Sequence, residues 1–174
     1  MSTQTQEAIE QDMMEMGTKP VPEHEWLQKL VGNWRMESEM TMAPDQPKQK
    51  SEGTESVKSL GGLWAFGEGT VTLPNGTVMN LVSTIGYDVS FKEYRGCGFF
   101  SMSSHLWKYV GELSTDGKVM TLNCVGPSMT VDGGTANYRD VIEILDKDHR
   151  TLTSYGQDEN GAWQEFMKAF YTRV

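Results

Sequence analysis

The sequence predicts an all-β protein: an antiparallel up-and-down β-barrel of about ten strands behind a short N-terminal helix. Three observations carry this. From Asn33 onward apolar and polar residues alternate with period two, the signature of a half-buried sheet. Turn-forming clusters interrupt the alternation at short intervals: Pro74-Asn75-Gly76, Asp116-Gly117, Asp146-Lys147-Asp148 and Asp158-Glu159-Asn160-Gly161. No helix-period segment lies between strands, so the long crossovers that a parallel sheet needs are missing. Closing such a meander removes the exposed edges that would otherwise recruit other strands.

Met1 to Lys19 reads as a flexible polar arm, with Met13, Met14 and Met16 as its apolar residues, and the barrel domain as residues 20–174. Pro22 to Val31 predicts a short helix. Pro22 suits its first turn, Glu23 and Glu25 favour the positive end of its dipole, and Trp26, Leu27, Leu30 and Val31 share one face. Gly32 is expected to end it, and the helix to cover one end of the barrel. The predicted strands are Trp34–Thr41, Gly53–Leu60, Leu63–Leu73, Thr77–Tyr87, Tyr94–Phe100, His105–Leu113, Val119–Val125, Thr135–Leu145, Thr151–Gly156 and Trp163–Arg173. Gly61-Gly62 forms a hinge. In the last strand, alternation puts Phe166 and Phe170 on one face and Trp163, Met167, Ala169 and Tyr171 on the other.

At 174 residues the chain fits one domain, and 37% hydrophobic residues supply a core. A net charge of −9 disfavours nucleic acid and anionic membrane surfaces as partners. Cys97 and Cys124 have no metal or redox spacing and read as buried free thiols. No secretory signal or membrane-spanning run is present, so a cytoplasmic address is expected, and Asn75-Gly76-Thr77 reads as a turn rather than a glycan site.

Gly32-Asn33-Trp34, a Gly-x-Trp where the helix meets the first strand, resembles the calycin superfamily of lipocalins and fatty-acid-binding proteins. The resemblance implies that Trp34 plugs the barrel floor and that Arg173 packs on its ring. A longer series is more specific. His24-Glu25-Trp26-Leu27, Gly53-Thr54-Glu55-Ser56, Leu60-Gly61-Gly62-Leu63-Trp64, Gly86-Tyr87-Asp88, Ser104-His105-Leu106-Trp107, Tyr138-Arg139-Asp140-Val141-Ile142-Glu143 and Gly161-Ala162-Trp163-Gln164-Glu165 occur in this order. Together they resemble the bacterial family called domain of unknown function 1579. That resemblance implies a lipocalin-like barrel and brings no activity with it.

Standard catalytic signatures are absent: no Gly-x-Ser-x-Gly, phosphate loop, His-Glu-x-x-His or dinucleotide fingerprint, and neither cofactor nor metal is expected. Of the three histidines, His149 falls in a turn and His24 on the helix. His105 shares a strand face with Trp107 and Tyr109, and a His, Trp and Tyr on a lumen wall suit a small ligand or a proton transfer. The alternative is a locally hydrogen-bonded His105 beside a core Trp107. Arg139 and Glu143 share the other candidate face, which is either an inward polar anchor or an outward ladder of ion pairs; Tyr138 and Trp64 complete the ligand-binding candidates. Glu55, Glu68 and Glu112 qualify as bases only if buried.

Three functions follow from this reading. The first is a barrel binding a small apolar or amphipathic molecule. The second is a cofactor-free isomerase or hydrolase using His105 with a barrel carboxylate. The third is a homodimeric module built on an apolar outer face.

Overall fold

Alternating sequence becomes strand wherever the turn clusters allow. In the computed structural model, which describes residues 18–41 and 46–174, the strands are β1 (Gly32–Met40), β2 (Gln49–Leu60), β3 (Trp64–Thr72), β4 (Val78–Asp88), β5 (Glu93–Phe100), β6 (Trp107–Leu113), β7 (Val119–Pro127), β8 (Thr135–Ile144), β9 (His149–Gln157) and β10 (Trp163–Arg173). Each pairs antiparallel with its chain neighbours, and β1 pairs with β10 to close a ten-strand barrel. The closing register sets Trp34 opposite Arg173 on one side and opposite Glu55 on the other. The expected N-terminal arm falls, apart from Thr18 and Lys19, outside the described residues.

The turns use the predicted chemistry. Gly76 and Gly117 take φ of 81° and 66°, and Gly61 and Gly62 take 60° and 74° in the hinge between β2 and β3. Asp116 caps its own turn, accepting from Ser114 Oγ at 2.6 Å and Lys118 N at 3.1 Å.

Three expectations about local structure are corrected. The N-terminal helix is a 3-10 helix over Pro22–Lys29 and stops short of Val31. Its cap is Leu30; Gly32 instead opens β1 with φ 137°, where the Arg173 guanidinium occupies the space a Cβ would need. His24, on the helix as read, is buried, its Nδ1 accepting from Val21 N at 3.0 Å. In β10, a bulge between Glu165 and Met167 shifts the register and breaks the simple alternation. Met167, Ala169 and Tyr171 face inward and Phe170 is exposed, but Phe166 turns in against Tyr138, at 6.2 Å between ring centroids, while Trp163 turns out against Arg139.

The helix closes one end, here called the floor. Trp26, Leu27 and Leu30 join Trp34, Val57, Ala65, Ile85, Tyr94, Met120 and Tyr171 in one buried cluster. Trp34 Nε1 donates to Leu30 O at 2.8 Å, and the Tyr94 hydroxyl to Glu23 O at 2.7 Å, so the helix is tied to both sides of the wall. Burial pushes the Tyr94 phenol up to about 12.

Candidate functional site

Register decides which side chains face the interior. On β6, Trp107 and Tyr109 stand opposite Gly98 and Gly96 of β5; the Tyr109 ring packs over Gly98, while the Trp107 ring lies over Gly126 of β7. His105 precedes β6 on the same face and meets Trp107 edge-on at 4.8 Å between ring centroids. Trp107 meets Tyr138 of β8 in the same manner at 5.1 Å. The Tyr138 hydroxyl donates to Pro127 O at 2.6 Å, and His105 Nε2 lies 3.2 Å from Val125 O. His105, Trp107, Tyr138 and Phe166 thus form an aromatic arc in the half of the barrel away from the floor. Among the described residues, Trp107 Nε1 is buried in this arc without a hydrogen-bond partner.

Next to the arc, towards the floor, lies Asp140. Its carboxylate accepts from the Tyr109 hydroxyl at 2.9 Å and from Ser154 Oγ at 2.5 Å. Burial raises its pKa, and the two hydroxyls only partly offset that. Burial first, then the Asp140 charge, also pushes the Cys124 thiol up to about 12 and the Tyr109 phenol higher still. Cys124 is therefore an inward-facing thiol and a weak nucleophile. Both cysteines are free, but Cys97 is only half-buried, beside Thr84.

A second polar cluster sits at the floor. Glu55 pairs with Arg150, their side chains 10% and 5% exposed, and Ser83 Oγ donates to Glu55 at 3.4 Å. The Arg150 guanidinium stacks 3.8 Å from the centre of the Tyr171 ring and 4.8 Å from that of Trp34. Arg173 covers Trp34 at 4.1 Å and donates to Val31 O at 2.6 Å and Lys29 O at 3.1 Å. Trp34 is thus held between two guanidiniums, of which only Arg173 is named by the sequence. Gly67 makes room for this pair, since a Cβ there would lie 2.8 Å from Glu55 Oε1.

The wall is not continuous. The β6–β7 ladder runs only from Val110 opposite Asn123 to Leu113 opposite Met120. Above it, Trp107–Tyr109 and Cys124–Pro127 are not paired with each other, although β7 stays paired to β8 as far as Pro127. A crevice of about 800 Å³ opens there. Its lining passes from outward-facing Lys108, Val110, Val125 and Trp163 to inward-facing Cys124 and Tyr138. The His105–Val125 contact spans it on the side away from the ladder.

Several candidates lie elsewhere. Trp64 faces outward over Gly86 and is 39% exposed. Arg139 and Glu143 also face outward, because it is Tyr138, Asp140 and Ile142 that turn in. They form no ion pair: Arg139 donates to Asn123 Oδ1 at 3.2 Å and stacks 4.1 Å from the centre of the Trp163 ring. Glu68 and Glu112 are exposed, and Glu55 is bound by Arg150. His149 is exposed and contacts Asp146 at 2.9 Å. Among the described residues no group of His, Cys, Asp or Glu forms a metal cluster, and no helix is long and apolar enough to cross a membrane.

A family model described as "Protein of unknown function (DUF1579)" matches residues 19–173. No curated protein matches the sequence. Among solved structures, the chain is similar to Rv2717c from M. tuberculosis at 14% identity, with a TM-score of 0.62 over 88% of this chain and 98% of that one. It also aligns with a de novo designed fluorescence-activating β-barrel at 11% identity and a TM-score of 0.47, over 85% of this chain and 96% of that one. The likeness to Rv2717c is one of fold.

Proposed function

The chain belongs to the DUF1579 family of proteins of unknown function, and from that footing we propose that its barrel binds one small apolar or amphipathic molecule against the aromatic arc of His105, Trp107 and Tyr138. The observation that carries this is the buried Trp107 Nε1 without a partner, set among aromatic rings beside a crevice. An N–H left unmade in such a place costs about 1–3 kcal/mol, and a ligand oxygen beside it would recover part of that. Aromatic walls with few polar groups are also what small-molecule sites are commonly made of.

The geometry gives the enzymatic alternative less support. Among the described residues no carboxylate is hydrogen-bonded to His105, whose ring meets Trp107 and the Val125 carbonyl. Asp140 is held by Tyr109 and Ser154, and Glu55 by Arg150.

Titration with anilinonaphthalene sulfonate, followed by calorimetry, tests the reading. We expect one saturable site per chain. Trp107→Phe keeps an aromatic ring but removes the N–H, and should weaken binding about fivefold, the worth of one hydrogen bond of about 1 kcal/mol. Absence of saturable binding by the wild-type chain would exclude interior binding of this probe class.

A further inference from the structure

We propose that the interrupted β6–β7 ladder is a lateral entrance, and that the molecule it admits is an amphipathic anion: an apolar tail reaching the aromatic arc and an anionic head left outside on Lys108 and Arg139. This rests on the interior-binding reading above and adds the route and the charge.

The route follows from pairing. Backbone hydrogen bonds seal a barrel wall between most of its strands, but beyond Val110 and Asn123 the β6 and β7 backbones are unpaired with each other. Residues of both strand faces border the crevice at that point, outward Val110 and Val125 and inward Cys124 and Tyr138. The opposite end of the barrel offers no such path, since the helix fills it with Trp26, Leu27 and Leu30.

The ligand's chemistry follows from the rim. Val110 and Val125 are 46% and 55% exposed, an apolar lip that water does not favour and a hydrocarbon tail would cover. Lys108 projects from the same lip. Arg139 sits beside it, stacked on Trp163 and hydrogen-bonded to Asn123, both of which line the crevice. Among the described residues neither cation has a carboxylate within ion-pair distance, although the chain carries a net charge of −9. Glu112 shares the strand face of Lys108 and Glu143 that of Arg139, and each is exposed and unpaired with them. Two uncompensated cations at the opening of an acidic protein select a negative head group over a neutral or positive one. The occupant is a single free amphiphile: the surrounding negative charge disfavours an anionic membrane surface.

Calorimetric titration with decanoate, decanol and decyltrimethylammonium, each below its micelle concentration, decides the matter. The wild-type chain should bind decanoate most tightly and decyltrimethylammonium least. Lys108→Glu replaces an attraction with a repulsion and should weaken decanoate about tenfold while leaving decanol unchanged, each exposed charge contact being worth about threefold to fivefold. Val125→Trp, at an exposed position facing the crevice, should weaken both decanoate and decanol. Equal affinity for all three probes, or a Lys108→Glu variant that binds decanoate as the wild type does, overturns the anionic assignment. Undiminished binding by a folded Val125→Trp variant overturns the entrance. In either case retained decanol binding leaves interior binding standing, whereas failure of all three probes removes interior binding itself. If Val125→Trp does not fold, the Lys108→Glu comparison still decides the proposal.

Discussion

Three inward-facing charged residues, the Glu55–Arg150 pair and Asp140, dominate the chemistry of the interior, and the pair and Asp140 each make a prediction. Arg150 sits beside Glu55 with almost no access to water, so removing one partner strands the other. Arg150→Met should destabilise the fold by about 3–5 kcal/mol, as for other broken buried pairs. The Glu55→Leu, Arg150→Met double variant should regain most of that loss, and urea unfolding of all four proteins measures the coupling. Asp140 is disfavoured as an anion by its burial, so its folded pKa lies above the unfolded value. The folded state then holds the proton more tightly, and the Asp140 contribution to stability falls as pH rises from the unfolded pKa towards the folded one. Asp140→Asn should therefore be more stable than the wild type at neutral pH, with the gain vanishing below about pH 4, where Asp is protonated in both states. Thermal melts of the two proteins across that range check the sign.

Why these residues escape a sequence reading is specific to each. Arg150 follows Asp146-Lys147-Asp148-His149, a run that reads as turn, so the strand is predicted to start one residue too late to place it. In β8 both alternating faces mix charge with apolar groups: Tyr138, Asp140 and Ile142 against Arg139, Val141 and Glu143. Only the pairing of Asp140 with Leu122 and Ser154, itself fixed by the closed barrel, turns the first set inward. By contrast, the shared face of His105, Trp107 and Tyr109 is readable, because nothing interrupts that alternation and the flanking glycines of β5 are visible in Gly96-Cys97-Gly98.

At the level of elements, the floor and the β6–β7 seam are opposites. Leu27 of the helix is fully buried against the barrel floor, so Leu27→Ala should cost about 2–5 kcal/mol, measured by chemical unfolding. The seam has only four ladder pairs, and its unpaired segments should open first. Amide hydrogen exchange should be faster at positions within Trp107–Tyr109 and Cys124–Gly126 that lack a ladder partner than at Met120–Asn123. Uniform protection along β7 would mean that the seam is closed in solution. The strands themselves are legible from period two, but a register shift is not: one extra residue at Glu165/Met167 sends Phe166 inward and Trp163 outward, opposite to what uninterrupted alternation predicts.

Across the whole molecule, the pairing of β1 with β10 closes the barrel and makes inside and outside unambiguous, while the upper part of the β6–β7 seam stays unpaired. The closed meander follows from turn spacing, which the sequence displays; the break in the wall does not, because Val110 and Val125 look like ordinary strand residues. The same closure concentrates the aromatic arc and the unpartnered Trp107 N–H behind that break. A titration with decanoate, watched through the indole N–H resonances of the five tryptophans, tests the account most directly. The Trp107 indole proton should shift as it gains an acceptor or a neighbour, while that of Trp34, already bonded to Leu30 O, stays in place. Saturable binding that leaves Trp107 unmoved would contradict a ligand site inside this barrel wall.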